Sequence, residues 1–159
     1  MHRRIALLLA LLLPLALLGG ALGSQYIGGL HPCEMCYWQR WPHAFAIVAA
    51  ALAFTATAES SRSRTLTLLA ALAITISGII GVYHAGVEAK IFEGFTTCTK
   101  LVTGGSTSDM LKQITQAPLV RCDQVQWTFL GISMAGWNAI LSLGGAAVIL
   151  FLTVKGSRR

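Results

Sequence analysis

Four apolar runs, Ile5 to Ile27, Ala44 to Ala58, Thr65 to Val87 and Gly131 to Val154, make up more than half of this 159-residue chain. A helix needs about 20 apolar residues to cross hydrocarbon, and three of the runs have that length. The second run has only 15 residues. At a rise of about 1.5 Å per residue it spans only if its helix reaches back to Tyr37. Trp38, Trp41 and Tyr37 suit that depth, because amphipathic rings collect at the headgroup level.

The formal net charge of +6 gives the direction of the spans. Arg3, Arg4, Arg62, Arg64, Lys155, Arg158 and Arg159 fall on one side against Glu59 alone. On the other side Arg40, Lys90, Lys100, Lys112 and Arg121 are balanced by Glu34, Glu88, Glu93, Asp109 and Asp123. By the positive-inside rule both termini and the "ESSRSR" turn are cytoplasmic. The basic excess therefore reports orientation, and no nucleic-acid patch is apparent.

The expected fold is an all-α membrane protein, a single domain over 1–159. It is an antiparallel four-helix transmembrane bundle, with spans at about 5–27, 37–58, 65–87 and 131–154 and outer loops at about 28–36 and 88–130. The N-terminal run has the make-up of a signal peptide, but its continuation to Ile27 favours a retained span. Gly78, Gly81, Gly136, Gly144 and Gly145 are expected to let helices approach closely. In the long loop, Ser106 or Ser108 can cap a short helix carrying Met110, Leu111 and Ile114 on one face, with Pro118 just beyond its end.

All four cysteines, Cys33, Cys36, Cys98 and Cys122, fall in the outer loops. In a bacterial inner membrane that side is the oxidising periplasm, where disulfides form and persist, and four cysteines allow three complete pairings. A structural bridge suits Cys98 and Cys122, whose loop of more than twenty residues could yield roughly 3 kcal/mol. It suits "CEMC" poorly, since a two-residue ring beside an ordered helix removes little unfolded freedom. CxxC spacing instead favours low thiol pKa and exchange chemistry. Zinc on Cys33, Cys36 and His31 is disfavoured, because no second knuckle follows at the usual spacing, and no metal site is expected.

Arg40 lies four residues after Cys36, on the same helix face. Its charge at the hydrocarbon edge is costly without a partner. It can snorkel to headgroups, or stabilise both a Cys36 thiolate and an apolar electron acceptor beside it. A lipid-soluble quinone fits that acceptor, since neither a haem-attachment CxxCH nor a nucleotide-binding glycine motif is present. His84, at the outer end of the third span, is either an interfacial histidine or a proton donor to the quinone.

Taken together, the four runs, the "CEMCYWQR" motif at the entrance to the second span, the histidine of "GVYH" and the second cysteine pair resemble the DsbB family of quinone-dependent disulfide-forming membrane proteins. The resemblance covers essentially the whole chain. It implies that Cys98 exchanges with a periplasmic thioredoxin-fold oxidase similar to DsbA, and that Cys122 is its partner. Electrons then pass through a Cys33 to Cys122 bridge onto Cys33 and Cys36. Cys36 meets the quinone, ubiquinone or menaquinone, with Arg40 and His84 around it. DsbA-type carriers lie near about −120 mV, so only a stronger terminal oxidant turns the cycle over.

Two residues qualify the motif. Glu34 opposes thiolate formation by like charge, and Pro42 removes a backbone donor near the start of the second helix, which would displace that start and Arg40 with it. The protein is expected to be monomeric. Two other readings are a four-helix enzyme of the vitamin K epoxide reductase type, whose CxxC would lie late in the chain, and a non-catalytic four-span scaffold with two structural disulfides. The scaffold leaves Arg40 and the CxxC spacing without a role.

Overall fold

The computed structural model describes residues 2–94, 106–108 and 120–156. Among these, four helices carry the fold: α1 (His2–Tyr26), α2 (Glu34–Ala53), α3 (Ser61–Glu88) and α4 (Met134–Lys155). α1, α3 and α4 are long and apolar enough to cross a membrane. In α2, Glu34, Gln39, Arg40 and His43 interrupt the apolar sequence.

The helices close into a ring. α2 packs on α3, α3 on α4, and α1 lies against both α2 and α4, with little contact between α1 and α3. Arg3 Nη1 donates to the Glu59 carbonyl at 2.8 Å, and a Cβ on Gly156 would come within 2.7 Å of Arg3 Cγ. The start of α1, the α2–α3 turn and the end of α4 therefore meet at one end. That end carries Arg3, Arg62, Arg64 and Lys155, the basic residues assigned to one side from sequence.

The bundle is filled by small side chains and faced with large ones. Its buried centre is Ala6, Ala10, Ala46, Ala49, Ala50, Ala70, Ala71, Ala73 and Ala146 around Ile74 and Ile149. Leu12, Phe45, Val48, Leu72, Ile79 and Phe151 point outward. Alanine at the contacts lets backbones approach, as membrane helices require where burial supplies no hydrophobic drive.

The glycines divide on this test. A Cβ on Gly81 would sit 3.1 Å from both the Ala135 carbonyl oxygen and the Ala139 nitrogen, and one on Gly145 would overlap Leu13. Gly78 abuts Leu143, and Gly136 abuts Ile132 of its own connection. Gly144 has nothing within 4 Å, so the packing role expected of it does not hold.

Helix ends also differ from expectation. α2 begins three residues before Tyr37, because Cys33 takes the extended N-cap conformation and places acidic Glu34 in the first turn, where the helix dipole favours it, and it ends at Ala53 rather than Ala58, with Phe54 as its C-cap. Pro42 lies well inside α2 and does not delay its start. α3 begins at Ser61 because Ser60 Oγ accepts the Ser63 N–H at 3.1 Å.

The approach to α4 is a hairpin that the sequence pattern did not disclose. β1 (Thr128–Phe129) pairs antiparallel with β2 (Ile132–Ser133), Thr128 opposite Ser133. Leu130 and Gly131 between them have φ of 52° and 76°, the two left-handed residues of a tight hairpin turn. Ser133 then caps α4, accepting the Gly136 N–H at 3.1 Å. In the long loop, Ser106 Oγ accepts the Ser108 N–H at 3.2 Å. Met110, Leu111, Ile114 and Pro118 of the expected short helix lie outside the described residues.

Candidate functional site

The CxxC forms the first turn of α2. Cys33 is the N-cap, and its carbonyl accepts the Cys36 N–H at 3.1 Å. The two sulfurs are 3.1 Å apart. Cys33 is buried, as is Cys122, and both pack with Met35 and Val87. The Cys33 and Cys122 side chains lie against each other in that cluster. Contact with the Cys122 thiol, contact with the Cys36 thiol and burial together hold the Cys33 thiol well above the ordinary cysteine range. One sulfur thus touches two potential exchange partners. Cys98 lies outside the described residues.

An ion cluster fastens the segment that brings Cys122 inward. Lys90 Nζ reaches Asp123 Oδ2 at 2.6 Å and the Asp123 carbonyl at 2.7 Å. Arg121 grips the same carboxylate through Nε and Nη2 at 2.9 and 2.8 Å. The guanidinium, and then the ammonium, hold the Asp123 carboxyl below the usual carboxylate range. Lys90 has φ of 60°, a turn that aims its side chain back from the end of α3.

Arg40 points across to α1. Its Nη1 donates to Gln25 Oε1 and its Nη2 to the Ala21 carbonyl at 3.0 Å, with the guanidinium 5.3 Å from the centre of the Tyr37 ring. The partner that a charge at this depth needs is therefore the end of α1, where the helix dipole is negative. Gln25, a polar residue near the close of an apolar run, was the available signal for it.

His84 is placed beside the thiols rather than at an exposed interface. It is 3% exposed, with Nε2 3.6 Å from Cys33 Sγ and 3.8 Å from Glu88 Oε1. Its Nδ1 meets Gln39 Nε2 at 2.8 Å. Behind Gln39 runs a polar cluster that sequence reasoning missed. Asn138 Nδ2 donates to Gln39 Oε1 at 2.8 Å, and Asn138 Oδ1 faces His43 Nε2 at 2.9 Å and accepts from Ser142 Oγ at 3.0 Å. Ser77 Oγ donates to the Gln39 carbonyl at 2.8 Å. The spacing was legible: Cys36, Gln39 and His43 share one face of α2, as Ser77 and His84 do on α3 and Asn138 and Ser142 on α4.

A cavity of about 630 Å³ joins these parts. Cys36, Arg40, His43, His84, Trp137 and Asn138 line it, with an apolar wall from Leu17, Ala21 and Met134. A flat, apolar, carbonyl-bearing molecule entering it would meet a thiol and a fixed cation together, the usual make-up of a small-molecule site.

The sequence matches the family model described as disulfide bond formation protein DsbB over residues 3–152. The chain belongs to the DsbB family. It is 34% identical over 153 residues to disulfide bond formation protein B of Methylococcus capsulatus, covering 92% of each chain. Against the protein of that name from Polaromonas sp. it is 31% identical over 170 residues, covering 100% of this chain and 95% of the relative. The Azoarcus sp. relative is 28% identical over 151 residues, covering 90% and 87%. No solved structure matches the chain. Membership makes this an oxidoreductase of disulfide formation, in agreement with three membrane-length helices and clustered cysteines.

Proposed function

We propose that the protein is a thiol:quinone oxidoreductase that reoxidises a periplasmic DsbA-like carrier. The observation that carries this reading is the Cys33 sulfur, in contact with both Cys36 and Cys122 at the edge of the cavity. Such a junction lets a disulfide migrate by thiolate attack from one pair to the other without moving a helix.

The roles follow from position. Cys98 receives the carrier, Cys122 passes the disulfide exchange inward to Cys33, and Cys36 faces the acceptor. Arg40, held on α1, supplies positive charge to a developing anion beside Cys36. The quinone, ubiquinone or menaquinone, takes the two electrons and two protons released as the carrier dithiol becomes a disulfide. Gln39 Nε2 faces His84 Nδ1, and His84 Nε2 faces Cys33, which supports a role for His84 on the thiols more than on the quinone.

The same reading makes α2 a fourth span. Its outward Phe45, Val48 and Leu52 continue the apolar girdle, and its polar residues turn inward. We infer a monomer in a bacterial inner membrane, with both termini cytoplasmic and the cysteines periplasmic. The test is to mix purified protein with a reduced DsbA-like carrier and a soluble quinone and follow quinone absorbance. Cys36→Ser should abolish turnover, and Cys98→Ser should block only reduction by the carrier. Undiminished turnover by Cys36→Ser would overturn the mechanism. Disulfides that never exchange with a carrier would favour the scaffold reading.

A further inference from the structure

Two backbone carbonyls set the direction of the whole polar cluster. Gln39 Nε2 lies 3.2 Å from the Met35 carbonyl oxygen, and Asn138 Nδ2 lies 3.2 Å from that of Ser77. A carbonyl only accepts, so turning either amide over would set two oxygens against each other. Both amides are thereby fixed. Gln39 spends its two N–H groups on Met35 and on His84 Nδ1, and its oxygen takes the Asn138 N–H. Asn138 Oδ1 is left to accept from Ser142 and from His43 Nε2.

We propose that Gln39, locked by Asn138 and the Met35 carbonyl, is a positioning residue that holds His84 as the neutral imidazole with its proton on Nε2, between the Cys33 sulfur and the Cys122 backbone carbonyl. A proton on Nδ1 would face the Gln39 N–H at 2.8 Å, so neither the other tautomer nor the imidazolium fits. The groups around the ring are Cys33 and Cys36 from α2, Glu88 from α3 and Cys122 from the loop, with Arg40 and Arg121 on the same cavity. Glu88 at 3.8 Å would draw a second proton onto the imidazole, and the Gln39 N–H opposes it.

This rests on the thiol-exchange reading and assigns His84 its task within it. When an attacking thiolate bonds to the partner of Cys33 in a disulfide, the old S–S bond breaks and its electron pair leaves on Cys33. The Nε2–H then donates to that thiolate, and no proton changes hands. The same lock bears on metals. The ligand atoms of Cys33, Cys36 and His84 lie within 4.8 Å of one another, the makings of a thiolate–imidazole site for a soft cation. Histidine ligates through Nε2 only if its proton sits on Nδ1, which Gln39 forbids. A carboxylate at position 39 would instead accept that proton, as the outer partners of metal-bound histidines do.

The experiment uses reduced full-length protein in lipid nanodiscs, labelled with ¹⁵N at histidine, with His84 assigned by loss of its signals in His84→Gln. Between pH 5 and 8 the His84 nitrogens should read as a protonated Nε2 and a bare Nδ1 throughout. A proton on Nδ1 in the wild type overturns the proposal. In Gln39→Glu, zinc binding measured by competition with a chromophoric chelator should tighten at least tenfold, and unchanged affinity counts against the lock. Gln39→Leu should slow alkylation of Cys33 by roughly tenfold to a hundredfold, the range set by losing a hydrogen bond to a thiolate, and unchanged alkylation refutes the link from Gln39 to Cys33. The wild-type tautomer is read without turnover. Failure of carrier-driven quinone reduction therefore sinks the exchange reading alone, and a wrong tautomer sinks this one alone.

Discussion

Replacing Gly81 and Gly144 by alanine in turn should move stability in opposite directions. The new methyl on Gly81 would stand 3.1 Å from the Ala135 carbonyl oxygen, the Ala139 nitrogen and Asn138 Nδ2. Two of those atoms are α4 backbone, so relief requires α4 to move away from α3. Overpacking of this kind costs about 1–3 kcal/mol, against about 1 kcal/mol gained from helix propensity. The net is a loss of about 0–2 kcal/mol. At Gly144 nothing lies within 4 Å, so only the gain of about 1 kcal/mol remains. The two variants should therefore differ by about 1–3 kcal/mol in detergent-mixed-micelle unfolding followed by tryptophan fluorescence. Because the α4 displacement also carries Asn138, Gly81→Ala should lose quinone reduction beyond what its folded fraction explains, and Gly144→Ala should keep wild-type turnover. Equal stability of the two variants would refute the claim that α3 and α4 meet backbone to backbone at Gly81.

Two further outcomes follow from the edges of the site. Arg40→Lys keeps the charge but cannot hold Gln25 and the Ala21 carbonyl in one planar fork. Losing a charge-assisted bond of about 1.5–3 kcal/mol should raise the KM for quinone roughly tenfold or more while leaving reduction by the carrier unchanged. At the loop, the Asp123 carboxyl is depressed by Arg121 and Lys90. Its contribution to stability is therefore fully present above the ordinary carboxylate pKa near about 3.9 and is lost only as pH falls through the lower folded-state value. Cys122 should accordingly stay protected from alkylation in mildly acidic buffer, and Asp123→Asn should expose it at neutral pH.

The parts of this molecule that could be read from sequence are those whose signal is local. Apolar run length gave three membrane-length helices, the charge balance gave the end at which Arg3, Glu59 and Lys155 collect, and spacing put Cys36 and Arg40 on one face. What stayed hidden depends on partners far apart in the chain. The Leu130–Gly131 turn lacks the Asn or Asp that marks such hairpins. Arg40 finds Gln25 fifteen residues earlier, and Cys122 meets Cys33 in a segment whose Asp123 is held by Lys90 and Arg121. The polar cluster is the instructive case. Ser77, His84, Asn138 and Ser142 are scattered singly through apolar runs, and Gln39 and His43 lie just before one, so each alone reads as a tolerated exception. Polar side chains inside a membrane bundle turn inward and need partners. Several of them at helical spacing on three different runs therefore amount to a statement that those three faces converge. Once they converge, the Met35 and Ser77 carbonyls leave one hydrogen-bond direction open, and it ends at His84 Nε2, between the Cys33 sulfur and the Cys122 backbone.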